Sequence, residues 1–219
     1  MGLSRVLATA AMVGVLGVFA ATPARAQAPA PESALTPDDT ARLLRGETVT
    51  REQTLERGGS RYVGGVTYTL LDATPDEVSG LLDDVAAYAR VLPKTKTATL
   101  VGRNGPDMFV ELHQGNAFVD TAYTIRLRRS PTPNEMRFWL DPTKPHGIED
   151  AWGFFRYEPV VDASGATKVL LTYGVLVDLG AGLVRDLFEE RVRLALLGVP
   201  ERVRAYLTNG ATRQLAHVR

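Results

Sequence analysis

Apolar positions recur at steps of three and four between Leu183 and Leu207. Val184, Phe188, Val192, Ala195, Val199, Val203 and Tyr206 fall on one side of an α-helix. Leu187, Leu194 and Leu196 widen that stripe, while Asp186, Glu189, Glu190, Arg193 and Arg204 fall opposite. So broad an apolar face needs a large apolar surface to lie on. Pro200 follows Gly198 inside the pattern. Its ring clashes with the carbonyl of Leu196 and removes one helix hydrogen bond, so a kink or short break is predicted near Leu197–Val199. The break divides the helix into a gripped segment, Leu183–Leu197, and a lid, Pro200–Leu207. Gly210–Arg219 reads as a frayed tail.

Upstream the period changes from 3.6 to 2. Val119, Thr121, Tyr123, Ile125 and Leu127 share one side of a strand and Asp120, Thr124, Arg126 and Arg128 the other, and the first set is placed inside. Turn residues separate strands over Thr95–Arg103, Met108–Gln114, Phe118–Arg129, Glu135–Leu140, Ile148–Val160 and Thr167–Asp178. Connections of hairpin length imply an antiparallel meander. Two strands precede them, a surface or edge strand at Glu47–Leu55 and a β-branched, aromatic one at Arg61–Leu71, with Gly58-Gly59-Ser60 between. Between the two strand sets, Thr74-Pro75-Asp76-Glu77 opens a helix. Thr74 caps it, Pro75 takes its first position and Glu77 completes a capping box. Val78, Leu81, Leu82 and Val85 follow at helical spacing, a second short helix covers Val85–Val91, and Leu92-Pro93 ends it. Thr36-Pro37-Asp38-Asp39 starts a shorter helix the same way.

The N-terminus adds a compartment to this picture. Residues 1–26 comprise a basic start at Arg5, the apolar run Leu7–Ala21 and the small-residue end Ala24-Arg25-Ala26. This is the pattern of a signal peptide cut after Ala26, and the run is shorter than the roughly 18–20 apolar residues of a spanning helix. An uncleaved anchor is the alternative. Residues 27–37 form an Ala/Pro-rich linker, 38–60 a helix-and-strand extension, 61–209 the main domain and 210–219 the tail. The predicted location is the periplasm, with no stable membrane anchor after cleavage, though transient membrane contact is compatible with the reading.

Composition then excludes several chemistries. The 219 residues are 45% hydrophobic and 23% charged, with a formal net charge of zero and no cysteine. Disulfides, thiol catalysis and cysteine–zinc sites are excluded, and no basic run recruits nucleic acid. Loss of residues 1–26 removes Arg5 and Arg25 and no acid, which tips the mature chain slightly negative. His113, His146 and His217 show no ligand spacing, and His113 is expected to face outward with Glu111. No metal or cofactor is predicted, and no G-x-S-x-G or phosphate-binding glycine loop occurs. Gly64-Gly65 and Gly58-Gly59 read as turn or strand glycines.

The order of elements resembles a known family. Ala73-Thr74-Pro75-Asp76-Glu77-Val78 through Tyr88-Ala89-Arg90-Val91-Leu92-Pro93 is similar to the helix pair of the START and polyketide-cyclase superfamily. Asp150-Ala151-Trp152-Gly153-Phe154 is similar to its tryptophan-bearing strand, and Leu170–Val177 precedes the long helix as it does there. The resemblance covers about Arg61–Leu207 and implies an α+β helix-grip fold, with a curved antiparallel sheet wrapped around the C-terminal helix. Members of that superfamily, which includes the Bet v 1-like proteins, comprise lipid and sterol carriers, coenzyme-Q-binding proteins, aromatase/cyclases and binding-only proteins. The implied partner is therefore a hydrophobic small molecule or lipid (a quinone, sterol-like compound or polyketide) in an apolar cavity between sheet and helix.

The candidate lining is Met108, Tyr123, Phe138, Trp152, Phe154 and Tyr173 from the strands, with Val184, Phe188 and Val192 from the helix. The same side chains would also serve as a packed core without a void. Asp150 alternates onto the face of Trp152 and Arg156, and Arg191 lies on the edge of the helix stripe. Asp150 or an arginine could anchor a polar headgroup, or stand as an ordinary ion pair or a rim arginine. Three function classes follow: a carrier, a cyclase or dehydratase using Tyr123 or Tyr173 with Asp150 as acid and base, and a ligand-free interaction module.

Overall fold

The computed structural model describes residues 34–115, 120–162 and 164–217. The leader and most of the linker lie outside the described residues, as do Phe118 and Val119 of the strand predicted over Phe118–Arg129. Helix α1 (Pro37–Leu44) is followed by β1 (Val49–Arg57), β2 (Ser60–Leu71), α2 (Pro75–Asp83) and α3 (Val85–Val91). Six strands come next: β3 (Thr95–Asn104), β4 (Asp107–Gly115), β5 (Asp120–Arg129), β6 (Glu135–Leu140), β7 (Asp150–Val161) and β8 (Thr167–Asp178). Helices α4 (Leu183–Leu197) and α5 (Val199–His217) close the chain.

Local chemistry explains the boundaries. Thr36 and Thr74 each accept a hydrogen bond from the backbone three residues on, and Asp39 and Glu77 reach back to the capping residue. Both reciprocal boxes satisfy donors that a helix start leaves open. The β1–β2 hairpin turns on Gly58 and Gly59, at φ 59 and 88. Two consecutive left-handed residues match the twist of the flanking strands, and glycine adopts them at no steric cost.

The strands form one curved antiparallel sheet in the order β1-β2-β8-β7-β6-β5-β4-β3. β1 pairs with β2 from Val49 to Arg57, so the N-terminal extension supplies an edge strand of the main sheet. The meander β3 to β8 runs hairpin by hairpin, and β8 then lies against β2.

Alternation divides the sheet into two packed faces. The inner face places Leu71, Val110, Leu112, Ile125, Leu127, Phe138, Phe155, Leu171, Tyr173 and Val175 in one buried cluster with α2, α3 and the helix residues Leu197, Val199 and Val203. The outer face carries a smaller cluster of Leu43, Val49, Val66 and Tyr68 beneath α1.

The C-terminal helix breaks at Gly198, where the sequence predicts it, and Pro200 sits in the first turn of α5. The roles of its two halves differ from expectation. Val199 and Val203 are fully buried, so the segment read as a lid is the gripped one. Leu187 and Leu194 are 67% and 57% exposed, so the first half is gripped only at its end, where Leu197 enters the main cluster. Upstream of Leu197, whose carbonyl accepts a hydrogen bond from the Thr67 hydroxyl at 3.0 Å, α4 is held by charge. The Arg61 guanidinium donates to both carboxylate oxygens of Glu189 at 3.1 and 3.0 Å, and Arg193 reaches Glu189, Glu190 and Thr54. The helix also continues to His217. Gly210 costs such a helix only about 1 kcal/mol, and the Ala, Arg, Gln and Leu that follow favour it.

Candidate functional site

A cavity of about 60 Å³ lies between the inner face of the sheet and the helices. β4, β5, β6, β7 and β8 form its floor through Leu112, Tyr123, Phe138, Phe155, Tyr173 and Val175. Leu81, Leu82 and Val91 of α2 and α3 close one side, and Leu196 and Val203 close the top. Small-molecule sites usually enclose roughly 300–1,000 Å³, so an occupant of lipid size has to move a helix outward.

Three predicted residues meet in this cavity: Tyr123, Phe138 and Tyr173. Phe138, Phe155 and Tyr173 form an aromatic trio with ring centroids 4.6 to 6.2 Å apart. Gly153 makes room for it, because a Cβ there would meet the Phe138 ring at 2.5 Å. Met108 is buried in the same core, away from the cavity lining. Phe188 and Val192 are half-buried on α4 and do not reach the lining. The Val184 side chain lies outside the described residues.

Asp150, Trp152 and Phe154 do share a face, as alternation requires, but it is the outer face. Their neighbours Ala151 and Phe155 belong to the inner cluster. The sequence did carry a contrast, because this face also holds Asp150, Arg156 and Glu158 while Ala151, Gly153, Phe155 and Tyr157 opposite are uncharged, but the large Trp152 and Phe154 rings masked it. Trp152 packs edge-on against Tyr62, with centroids 6.4 Å apart, and Phe154 covers Gly174. Asp150 accepts a hydrogen bond from the Tyr62 hydroxyl at 2.9 Å. Burial, helped by that carboxylate, pushes the Tyr62 phenol up to about 12. The sheet therefore separates Asp150 from Tyr123 and Tyr173, and the acid–base pair considered from sequence is not assembled. Arg156 donates to Glu135, and Arg191 is exposed with its guanidinium 5.8 Å from the Phe188 ring, so neither anchors a ligand in the cavity. His113 is half-buried on the outer face, 2.6 Å from Glu111.

Sequence reasoning missed Leu81, Leu82, Tyr88, Gln114 and Phe155 as lining residues. The capping box at Thr74 already aimed Leu81 and Leu82 at the core. Gln114 carried a usable signal, because it alternates with Leu112 and Val110 on the inner face of β4. It donates to the Pro93 carbonyl at 3.1 Å and to Thr95 at 2.8 Å, and accepts from the Tyr123 hydroxyl at 2.5 Å. Among the described residues, no charged side chain lines the cavity. Burial pushes the Tyr123 and Tyr173 phenols well above the ordinary tyrosine value, so both stay neutral and can donate.

No sequence-family model matches the chain, and no curated protein matches it. Solved structures do. TTHA0849 from Thermus thermophilus superposes with a TM-score of 0.52 at 14% identity, over 66% of this chain and 97% of that one. A STAR-related lipid transfer protein from Xanthomonas axonopodis gives 0.57 at 17% identity, over 74% of this chain and 98% of that one. Zhui aromatase/cyclase from Streptomyces is similar at a TM-score of 0.47 and 20% identity, over 77% and 96%. The likeness is one of fold, and that fold is the helix-grip fold of START-like proteins.

Proposed function

We propose that this helix-grip chain is a periplasmic binding or carrier protein for a hydrophobic small molecule, held between the sheet and the C-terminal helix. The observation that carries the reading is the uncharged aromatic cavity beneath that helix, with Tyr123, Phe138, Phe155 and Tyr173 on one wall. An apolar void inside an otherwise close-packed interior forgoes contacts that a ligand would restore. The lipid-transfer protein of the same fold supports the reading by analogy.

Access is through α4. Upstream of Leu197 it is tied to β2 by the Arg61–Glu189 ion pair, while Leu197, Val199 and Val203 set the junction and α5 in the core. Lifting α4 about a hinge at Leu197, whose side chain and carbonyl stay seated on the core and on Thr67, enlarges the cavity beside Leu196. The leader, residues 1–26, supports export.

The test is mass spectrometry of organic extracts from the protein recovered from periplasmic fractions, with N-terminal sequencing of the same material. An apolar compound at stoichiometric amount and a start at Gln27 are expected. A protein that co-purifies with nothing and takes up no N-phenyl-1-naphthylamine would overturn the carrier reading. A start at Met1 would overturn export.

A further inference from the structure

Three tyrosines line the cavity, Tyr88, Tyr123 and Tyr173. Tyr88 donates to the Leu82 carbonyl at 2.5 Å, and Tyr123 donates to Gln114. The Gln114 amide is in turn fully committed to Pro93, Thr95 and Tyr123. Tyr173 differs. It is 2% exposed, it lies among the aromatic rings of the floor, and its hydroxyl has no hydrogen-bond partner among the described residues. The hydroxyl is not sealed in the packed core but opens on the cavity, where a phenylalanine would offer an entering ligand no donor. The stack on Phe138 and the contact with Phe155 fix the ring, so the donor is held in place before any ligand arrives.

We infer that Tyr173 is the recognition donor of the cavity, and that it selects a neutral apolar molecule carrying a carbonyl oxygen. This inference rests on the carrier reading above and narrows it to a class. A carboxylate or phosphate entering the same space would lose its hydration and meet no cation, because no charged side chain lines the wall among the described residues. A pure hydrocarbon would fill the space and leave the Tyr173 proton unmatched. A ketone, quinone or ester oxygen accepts that proton and adds no charge.

The experiment compares three compact probes of one shape: 1-indanone, indane and indane-1-carboxylate. Each is titrated calorimetrically into the delipidated full-length protein and into Y173F. The wild type is expected to bind 1-indanone about five-fold more tightly than indane, the worth of one net hydrogen bond. Y173F is expected to lose that preference and keep the indane affinity, which also shows that the variant is folded. Indane-1-carboxylate is expected to bind weakest. An undiminished 1-indanone preference in Y173F, with indane still bound, overturns the inference and leaves the carrier reading standing. So does tightest binding of the carboxylate. Failure of the wild type to bind either neutral probe overturns the carrier reading, and the inference with it.

Discussion

Two residues show how narrowly single positions constrain this sheet. Gly64 sits in the middle of β2 at φ 152, and a Cβ there would meet the Val175 carbonyl oxygen at 2.0 Å. β2 can lie between β1 and β8 at this point only without a side chain. Gly64→Ala is expected to destabilise the protein by more than about 3 kcal/mol in urea unfolding, and a loss under about 1 kcal/mol would refute the clash. The sequence showed a glycine pair but not which backbone would press on it, because that neighbour is over a hundred residues away. Asp107 makes a pH prediction. It is buried on the outer face and accepts hydrogen bonds from Arg128 at 2.6 and 2.7 Å, and another from Arg126. Those guanidinium bonds outweigh burial and hold its carboxyl well below the usual range. A depressed folded-state value means stability that is complete above the unfolded value of about 3.9 and lost as pH falls below it. The stability gap between wild type and Asp107→Asn is therefore expected to shrink from pH 7 to pH 3. A gap that stays constant in urea midpoints would rule this out.

At the scale of elements, the two halves of the terminal helix behave differently. Val203→Ala on α5 is expected to cost about 2 kcal/mol, because the side chain is 1% exposed in the main core. Leu187→Ala and Leu194→Ala on α4 are expected to stay within about 0.5 kcal/mol in the same unfolding assay. Equal losses at the three sites would mean that α4 is packed by its leucines after all. Arg61→Ala tests the ionic clasp. Partly exposed pairs contribute about 1 kcal/mol or less, so stability should hardly change while release of N-phenyl-1-naphthylamine in stopped flow becomes several-fold faster. An unchanged release rate would place the entrance elsewhere. The sequence identified an amphipathic helix and its break at Gly198, but not this division of labour. Periodicity shows that a helix has an apolar face, not what that face meets. Here Glu189 and Arg193 turn toward β1 and β2, and Leu187 and Leu194 turn to solvent.

For the molecule as a whole, the sheet is covered on two sides by unequal means. The outer cluster depends on α1, whose Leu43 is 3% exposed over Val49, Val66 and Tyr68. Deleting residues 27–46 should uncover that patch, lower the unfolding midpoint and promote self-association in analytical ultracentrifugation. A truncated chain that stays monomeric and equally stable would show α1 to be dispensable. Element order was legible because turn residues punctuate nearly every strand, a capping box marks α2, and a capping threonine followed by proline marks α1. The cavity was legible only through the family resemblance. Tyr123, Phe138 and Tyr173 followed from it, while Asp150, Trp152 and Phe154 did not: two large rings drew that side of β7 inward although the charges of Asp150, Arg156 and Glu158 on it mark the side away from the cavity.

The strand order has a kinetic consequence. β2 has one neighbour, β1, available at once, but its other partner β8 comes only after the whole β3–β7 meander. Pairing Leu71 with Val169 closes a loop of roughly a hundred residues, whose entropy must be lost before the contacts return it. Each hairpin of the meander closes a short loop and can form first. The β2–β8 seam is thus the natural bottleneck of folding, and until it closes both strands have unpaired backbone edges open to other chains.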